Sequence, residues 1–462
     1  MDLSKIHRIY FIGIGGIGMS ALARYFLAGG YDIAGYDRTP TLITDELIAE
    51  GCDIHFEDLP NLIPEPFRAV HEKEGTLIII TPAIPGGHLE WKYFTENSFK
   101  ILKRSQVLGF ISERSKAVAV AGTHGKTTIT AIIAHILKQS ELDCTAFIGG
   151  ISKNYQSNLI IGSSEYTVLE ADEFDRSFLT LYPYIAVISS IDPDHLDIYR
   201  NKDHLQGSFE LFAKQIIKNG YLLVKKGVEL AVEEREDLKV YTYSLSHKAD
   251  FYSEKLKLDN GFYTFDVIIP GGRISDIRLG FPGKINVENA VAGIAVAWIL
   301  GVPEEIIRKA LLYFLGINRR FDIRFKSEKL VYIDDYAHHP VELSSLIESV
   351  REMFPEKRIT GIFQPHLFSR TRDLYLDFAK SLSKLDKLIL LDIYPAREEP
   401  IKGVSAYMIL KEVSIEKVIL SKKEVLEAVR EFKEGVLLTI GAGDIFDLVD
   451  PIEKLIKKSA RE

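Results

Sequence analysis

One glycine-rich segment has the residue types needed to bind phosphate groups: Gly122, Thr123, His124, Gly125, Lys126, Thr127 and Thr128. It follows the apolar run KAVAVA and precedes a segment with helical periodicity, so it predicts a strand-to-helix turn. Backbone N–H groups of such a turn, together with Lys126, bind the β and γ phosphates of a nucleotide, and the hydroxyl of Thr127 reaches a magnesium ion. The segment is a shortened P-loop, because Val120 stands where the first glycine of the usual pattern belongs.

Two acidic segments follow the next predicted strands. Glu170 ends the run YTVLE, and His195 lies in DPDHLD after the run AVISS. Carboxylates and histidines at the ends of strands beside a phosphate loop are suited to bind a phosphate-bound magnesium ion, so Glu170 and His195 are the predicted ligands. For Asp172, Glu173 and Asp194, helix capping or a solvated turn explains the acid equally well.

A second glycine cluster lies near the start of the chain. Gly13, Gly15 and Gly18 satisfy GxGxxG between an apolar run and a helical segment, and Asp37 ends the following apolar run. This pattern predicts a diphosphate at a helix N-terminus and a carboxylate on a ribose hydroxyl. It fits NAD and UDP equally well, and the glycines could instead serve only close packing. Thr81 and Ala83, after the strand-like run LIII, lie where loops gather around such a ligand, although an ordinary turn is an equal alternative.

The rhythm of apolar runs and helical segments restarts twice along the chain, which predicts an α/β protein of three domains. We expect a Rossmann-like domain over residues 1–105, a central P-loop ATPase-like domain over 106–318, and a Rossmann-like C-terminal domain over 319–462. Between about 221 and 285 the runs KVYTYSL, ADFYSEKLKL and GFYTFDVIIP are short, and turn residues separate them. They predict antiparallel strands added to the central domain.

Composition excludes several classes of protein. The 462 residues carry a formal net charge of -8, which gives no overall attraction to nucleic acid or to anionic lipid. The two cysteines, Cys52 and Cys144, are far apart and fit neither a disulfide framework nor a zinc motif. No apolar run reaches the length of about 18 residues that a membrane span needs. We therefore expect a cytoplasmic protein with no nucleic-acid or membrane partner. We also expect a monomer or a weak homodimer.

Taken in order, nine segments resemble the Mur ligase family: GIGGIGMS, GTHGKTT, LEADEFDRSFL, DPDHLDIY, NVENA, NRRFD, DDYAHHP, FQPHLFSRTRD and GAGD. The resemblance covers nearly the whole chain and is more specific than any single motif. It implies an amide-forming ligase of peptidoglycan synthesis that uses ATP and magnesium. The implied substrates are UDP-N-acetylmuramate and L-alanine, joined through an acyl phosphate.

The resemblance also assigns residues to roles. The residues implied to bind the UDP end of the sugar nucleotide are Gly13, Gly15, Gly16, Ile17, Gly18, Met19, Ser20, Asp37, Thr81 and Ala83. Those implied to bind ATP are residues 122–128 with Asn286, Asn289, Arg320 and Asp335. Those implied to bind the incoming amino acid are Tyr336, His338 and Arg370. The catalytic set is Lys126, Glu170, His195, Arg320, His338 and Arg370, and magnesium is held by Thr127, Glu170 and His195.

Some features depart from the family or leave alternatives open. Ile285 stands where a histidine often precedes the adenine-binding asparagines, so that contact is absent. Lys202 is too close to DHLD and Lys214 slightly too far for the carbamylated lysine of several relatives, so none is expected. A surface position for Arg370 is an alternative, and zinc at His338, His339 and His366 is not expected. The rival functions are a tripeptide-recycling ligase on the same sugar nucleotide, an NAD-dependent oxidoreductase with an ATP site, and a nucleotide-gated binding protein.

Overall fold

A computed structural model describes residues 5–192, 199, 202–259, 261–396 and 398–459. Contacts divide the chain into two compact units, one of Met1–Tyr252, Val267–Ile274 and Asn289–Leu311, the other of Ser253–Asp266, Ser275–Glu288 and Leu312–Glu462. Within the described ranges, no helix has both the length and the apolar character needed to cross a bilayer.

The first sheet has the strand order β3-β2-β1-β4-β5, and all of its pairs are parallel. Its strands are β1 (Arg8–Ile12), β2 (Asp32–Tyr36), β3 (Asp53–His55), β4 (Thr76–Ile80) and β5 (Lys100–Lys103). The helices are α1 (Ile17–Ala28), α2 (Leu42–Glu50), α3 (Glu65–Arg68), α4 (Leu89–Glu96) and α5 (Arg104–Glu113), with a 3₁₀ helix over Val70–Gly75. The strand order reverses between β1 and β4. The loop after β1 therefore lies at a switch point, where open parallel sheets form ligand crevices.

The central sheet has the order β15-β14-β13-β12-β11-β10-β6-β9-β7-β8. Its strands are β6 (Lys116–Ala121), β7 (Thr145–Ser152), β8 (Ser157–Ile160), β9 (Tyr166–Glu170), β10 (Ile185–Ile188), β11 (Tyr221–Lys225), β12 (Lys239–Ser244), β13 (Phe251–Asp259), β14 (Phe262–Ile269) and β15 (Gly272–Arg278). Its helices are α6 (Lys126–Lys138), α7 (Lys202–Lys214), α8 (Lys284–Ile299) and α9 (Glu304–Tyr313), with a 3₁₀ helix over Phe174–Thr180. Parallel β9, β6 and β10 lie side by side, so the loops that follow them meet at one edge.

The antiparallel prediction for residues 221–285 is wrong at its first strand. β12 pairs in parallel both with β11 and with the start of β13. β13, β14 and β15 are consecutive neighbours in the sheet and are joined by connections too short for a parallel crossover, as the prediction requires. The alternating pattern of KVYTYS predicts a half-buried strand, but it does not predict whether the neighbouring strands run parallel or antiparallel to it. The connections on either side of this strand are long enough to allow both directions.

A buried arginine joins α1 to the edge of the central sheet. Arg24 donates to Glu50 on α2 at 2.9 Å and to Asn158 on β8 at 2.7 Å. Asn158 in turn donates to the hydroxyl of Ser20 on α1 at 2.8 Å. A buried charge with this many partners holds its neighbours in fixed positions, so the first turn of α1 is anchored to the central sheet.

The third sheet has the order β16-β17-β21-β18-β19-β20, with β16 antiparallel and the other pairs parallel. Its strands are β16 (Asp322–Lys326), β17 (Leu330–Asp335), β18 (Ile359–Phe363), β19 (Lys387–Leu390), β20 (Glu416–Ile419) and β21 (Gly435–Ile440). The helices are α10 (Pro340–Met353), α11 (Phe368–Leu382), α12 (Tyr407–Glu412), α13 (Lys422–Arg430) and α14 (Val449–Ser459), with a 3₁₀ helix over Asp444–Leu448.

Both faces of the third sheet are covered. Along β17, Val331 and Ile333 belong to one apolar cluster, whereas Leu330 and Tyr332 belong to another. Side chains of a strand point alternately to its two faces, so each face packs against its own layer of helices. The chain is an α/β protein with three mainly parallel sheets, which confirms the predicted fold class.

Candidate active site

The predicted phosphate loop connects β6 to α6 as expected. Gly125 caps the helix in the left-handed region at φ +79°, and a Cβ there would lie 2.8 Å from Oδ1 of Asn289. Only glycine meets both demands without strain. The loop is held from the neighbouring strand end, where the Ser190 hydroxyl accepts from the N–H of His124 and contacts the Thr123 hydroxyl, both at 2.9 Å. The backbone is thus fixed in the shape that anion binding requires.

Lys126 points back over this loop towards a buried carboxylate. Its Nζ donates to both oxygens of Glu173, at 2.8 and 3.0 Å, and to the carbonyl of Gly122 at 2.7 Å. Glu173 is only 1% exposed. Burial works to lower the pKa of Lys126, but the charges of Glu173, Asp172 and Glu170 outweigh it and raise that pKa. The ammonium is therefore fully charged and is available to a phosphate that can displace Glu173.

Thr127 and Glu170 lie together at the start of α6 and the end of β9. The Thr127 hydroxyl donates to Oε1 of Glu170 at 3.1 Å, and the N–H of Gly149 donates to Oε2 at 3.0 Å. A Cβ on Gly149 would overlap Oε2 of Glu170, so a larger residue here would displace the carboxylate. Hydroxyl and carboxylate oxygens in contact beside a phosphate loop are the donors that Mg²⁺ prefers. The predicted magnesium residues Thr127 and Glu170 are thus brought together.

The third predicted magnesium residue, His195, lies outside the described residues. The segment just before it is described. There the N–H of Asp192 donates to the Thr123 hydroxyl at 3.1 Å, and the Asp192 carboxylate lies 3.3 Å from Nε2 of His124. The described start of the loop after β10, up to Asp192, is therefore attached to the phosphate loop.

The predicted adenine-binding asparagines both lie on α8 and are buried. Asn289 is 7% exposed and lies against Gly125. Asn286 is 5% exposed and donates to the carbonyl of Pro282 at 2.6 Å. Thr128, also buried, follows Thr127 on α6. The structure thus links Asn289 directly to the phosphate loop, and it places Asn286 in the turn that begins α8.

At the first glycine cluster, Asp37 binds the loop itself. Its Oδ2 accepts from the N–H of Gly15 at 2.8 Å, and its Oδ1 accepts from the N–H of Thr39 at 3.2 Å. The guanidinium of Arg104, at the start of α5, lies against Gly18 and 3.7 Å from Asp172. An arginine beside the N-terminus of α1 reinforces the positive end of that helix.

The remaining residues predicted for the sugar nucleotide occupy different environments. Thr81 packs against Gly13, and Ala83 is an exposed residue of the same loop. Gly16 caps α1, and its carbonyl accepts from the N–H groups of Met19 and Ser20. The side chains of Met19 and Ser20 are buried, whereas Ile17 is half-buried. Thr81 and Gly13 thus pack together at the loop after β1, and the side chains of Met19 and Ser20 are buried in the first turn of α1.

In the second unit, Arg320, Asp335 and Tyr336 are brought together by a strained turn. Arg319 and Phe321, on either side of Arg320, have φ of +63° and +45°. The Asp335 carboxylate holds this turn by accepting from the N–H of Phe321 at 2.6 Å, and the Arg320 guanidinium lies 4.8 Å from the centre of the Tyr336 ring. Left-handed backbone at two non-glycine residues costs free energy and occurs most often at functional sites.

Asp335 makes the stability of the protein depend on pH. Burial raises its pKa from 3.8 to about 6, although Arg320 and the backbone N–H groups of Phe321 and Ala337 oppose the rise. A carboxyl with a raised pKa in the folded state binds its proton more tightly there than in the unfolded chain. Its contribution to the free energy of unfolding is therefore fully present below pH 3.8 and is lost as the pH rises to about 6. We expect the wild type to gain stability relative to an Asp335→Asn variant as the pH falls through this window. Urea unfolding of both proteins at each pH measures the difference, and parallel curves would refute the assignment.

His338 and Arg370 are linked through a histidine that was not predicted to bind substrate. The rings of His338 and His366 lie 6.1 Å apart, and Nη1 of Arg370 lies 3.5 Å from Nδ1 of His366. The Tyr336 ring contacts His338 at 5.4 Å. Arg370 is only 7% exposed, so the surface alternative for it is wrong. The three residues predicted to bind the amino acid therefore form one cluster, with His366 among them.

Comparison with known proteins identifies the family. Three family models match in series: "Mur ligase family, catalytic domain" over residues 8–116, "Mur ligase middle domain" over 120–297, and "Mur ligase, glutamate ligase domain" over 319–443. A relative from Parabacteroides distasonis, named UDP-N-acetylmuramate--L-alanine ligase, is 51% identical over 100% of both chains. The chain belongs to the Mur ligase family.

Solved Mur ligases share this fold. The crystal structure of UDP-N-acetylmuramate-alanine ligase from Thermotoga maritima matches with a TM-score of 0.82 at 29% identity, over 98% of this chain and 99% of that one. A murein peptide ligase from Psychrobacter arcticus matches in fold with a TM-score of 0.71 at 20% identity, over 97% and 98% of the two chains. The three-domain α/β architecture predicted for this Mur ligase is therefore confirmed.

Several residues around the sites of this Mur ligase were not singled out by their sequence. The sequence explains Glu173 equally well as a cap or turn residue, and it predicts no substrate- or nucleotide-binding role for Ser190, Arg104 or His366. Each lies at or just beyond a strand end or a helix start, next to a predicted residue. The sequence shows that these residues lie near predicted motifs. Whether their side chains point towards the sites depends on how the strands pair.

Proposed function

We propose that this Mur ligase uses ATP to join L-alanine to the lactyl carboxylate of UDP-N-acetylmuramate, in the synthesis of peptidoglycan precursors. The near 50% identity to relatives of that name, over their full length, supports the choice of substrates. The proposed working unit is a cytoplasmic monomer or weak homodimer.

The observation that carries the proposal is the convergence of Lys126, Thr127 and Glu170 on the phosphate loop. A buried ammonium and two oxygen donors meet there, at the N-terminus of a helix. Such a group suits the transfer of a phosphoryl group, because the charge that spreads over the transferred group is met by fixed donors. A simple dinucleotide-binding protein has no need for this arrangement.

In the proposed reaction, an oxygen of the lactyl carboxylate attacks the γ phosphorus of ATP, and ADP leaves. The amine of L-alanine then attacks the acyl carbon, the tetrahedral intermediate collapses, and inorganic phosphate leaves as the amide forms. Lys126 holds the phosphates in line and stabilises their charge in both steps. His338, or a neighbouring carboxylate, is proposed to take the ammonium proton, and the Glu342 carboxylate, 3.4 Å from Nδ1 of His338, would stabilise the protonated ring.

Magnesium fits the residues present. Thr127 and Glu170 would hold it, with His195 as the third proposed ligand, and a bound Mg²⁺ would neutralise the charge of the phosphates.

Each domain is proposed to bind one substrate. Residues 1–105, Arg104 among them, bind the sugar nucleotide, residues 106–318 bind ATP, and residues 319–462 bind the amino acid. Asp335 and Arg320 are proposed to act on the nucleotide from the third of these domains.

Arg320→Ala is expected to lower turnover by about 100-fold or more while changing ATP affinity little, because a charge used only in the transition state affects kcat. The measurements are phosphate release at saturating substrates and equilibrium binding of ATP. Arg308→Ala is the control, since Arg308 lies on α9 and pairs with Glu304 at 3.5 Å. Full turnover in Arg320→Ala would remove the proposed role.

The proposed function is tested by phosphate release from ATP and magnesium in the presence of UDP-N-acetylmuramate. L-alanine, glycine, L-serine and the L-alanyl-γ-D-glutamyl-meso-diaminopimelate tripeptide are added one at a time. Release that requires both the sugar nucleotide and L-alanine supports the proposal. Release with the tripeptide and with none of the single amino acids would favour the recycling activity. No release with any amine would refute a ligase function.

A further inference from the structure

A buried group of metal-binding side chains lies in the N-terminal sheet, away from the phosphate loop. Ligand atoms of Asp58, His88 and Glu90 all lie within 4.8 Å of one another. Nε2 of His55, at the end of β3, lies 3.2 Å from Oε1 of Glu90. Glu90 is 0% exposed and His88 is 5% exposed. Two imidazoles and two carboxylates thus converge in a part of the protein for which no catalytic role is proposed.

Around Glu90, hydrogen-bond acceptors outnumber the protons available to them, so one positive charge is missing. Nδ1 of His55 lies 3.0 Å from the carbonyl of Glu57, which can only accept, so Nδ1 carries the proton of the neutral ring. Its Nε2 therefore presents a lone pair to the Tyr10 hydroxyl at 2.8 Å. That hydroxyl donates its single proton to Oε2 of Glu90 at 2.7 Å. Oε1 of Glu90, facing Nε2 of His55, accepts no well-formed hydrogen bond among the described residues, and the backbone N–H of Leu59 is a further donor near this carboxylate.

A second buried polar atom without a partner belongs to His88. Its Nε2 is buried and has no hydrogen-bond partner among the described residues. Its Nδ1 lies 3.4 Å from the backbone nitrogen of Trp91 and 3.0 Å from Oδ1 of Asp58. The Asp58 carboxylate also accepts from the N–H groups of Leu89 and Glu90, at 2.8 and 3.0 Å. Two carboxylates thus lie beside one imidazole, and a cation bound among them would neutralise their charge.

We propose that this cluster is a structural metal site that binds a divalent transition metal of the zinc class through Asp58, His88 and Glu90. Ligands at about 2.0–2.2 Å around a tetrahedral zinc ion are about 3.3 Å apart. Oδ1 of Asp58 and Nδ1 of His88, 3.0 Å apart, are close to that spacing, and the ligand atoms of all three residues lie within 4.8 Å of one another. A histidine nitrogen among the ligands favours zinc over magnesium, which prefers oxygen.

The groups around the proposed ligands are already arranged as a metal site needs. Tyr10 holds Glu90, and two backbone N–H groups hold Asp58. Such contacts fix the direction of these ligands. The ligands come from the loop after β3 and from the start of α4, so a bound metal would fasten this helix to the sheet. The proposal is independent of the ligase reaction.

The test is zinc binding by the full-length protein after removal of metals with a chelator, without nucleotide or magnesium. Calorimetric titration gives the affinity, Co²⁺ substitution gives the visible absorption of a tetrahedral site, and the zinc-induced rise in Tm reports the link to folding. The variants are Glu90→Gln, which keeps the shape of the buried side chain, and His88→Asn. The control is His71→Ala, whose ring is exposed and lies 3.7 Å from the Glu72 carboxylate.

We expect stoichiometric zinc binding that both variants weaken by at least about 100-fold, because even indirect partners of a ligand contribute 10- to 100-fold. His71→Ala should bind as the wild type does. Equal binding by all four proteins would place the metal elsewhere and overturn the proposal. So would the absence of zinc binding, since the missing charge would then be a proton. Burial raises the pKa of Glu90 to about 8, so this competing occupant is available at neutral pH.

Discussion

Replacing Lys126 by methionine is expected to lower the rate of phosphate release by about 100- to 1,000-fold at saturating substrates. The ammonium is proposed to be the one fixed positive charge of the loop that meets the transferred phosphoryl group. The measurement is ATP-, sugar-nucleotide- and alanine-dependent phosphate release. Lys138→Met is the matched control, because Lys138 ends the same helix and pairs with Asp143 at its surface.

Loss of folding has to be separated from loss of catalysis in this variant. Lys126→Met leaves Glu173 as a buried carboxylate without its cation, and breaking such a pair costs about 3–5 kcal/mol. A double variant, Lys126→Met with Glu173→Gln, removes both charges and should recover most of that stability. We expect it to stay inactive. A double variant that regained turnover would show that Lys126 serves folding rather than phosphoryl transfer.

Glu170→Gln is expected to lower turnover by a similar factor, about 100-fold or more, and to shift the magnesium dependence to higher concentrations. The amide oxygen can still accept from the N–H of Gly149 and the amide NH2 can donate to the Thr127 hydroxyl, so the local geometry is preserved while the negative charge is lost. A role in holding a cation predicts that extra magnesium restores part of the activity. Turnover measured across a magnesium titration provides the check.

The control for Glu170 is Glu165→Gln. Glu165 lies just before the same strand and pairs with Lys116 at 2.7 Å, where both side chains are exposed. An exposed pair contributes little to stability, so this variant should behave as the wild type. If Glu170→Gln lost activity with an unchanged magnesium dependence, the carboxylate would act through positioning of Thr127 rather than through a metal.

The local motifs could be predicted because each depends on neighbours in sequence. A glycine turn between an apolar strand and an amphipathic helix exposes backbone N–H groups whatever the rest of the chain does, which is why residues 122–128 were recognised. The same holds for the loop after β1. Glu170 was predictable from its place at the end of a strand beside the phosphate loop, whereas the role of Arg320 came from family resemblance. The strained turn around Arg320 is visible only as backbone angles.

By itself, the sequence determined the α/β class, the order of the three sheets along the chain and the positions of the two glycine loops, because apolar periodicity and turn residues act over short distances. Only the tertiary structure decided the partners. It paired Lys126 with Glu173, joined His338 to Arg370 through His366, and made β12 a parallel strand. It also gathered His55, Asp58, His88 and Glu90, which no motif connects. Strand order and register bring such residues together, and these depend on long-range pairing that local sequence does not encode.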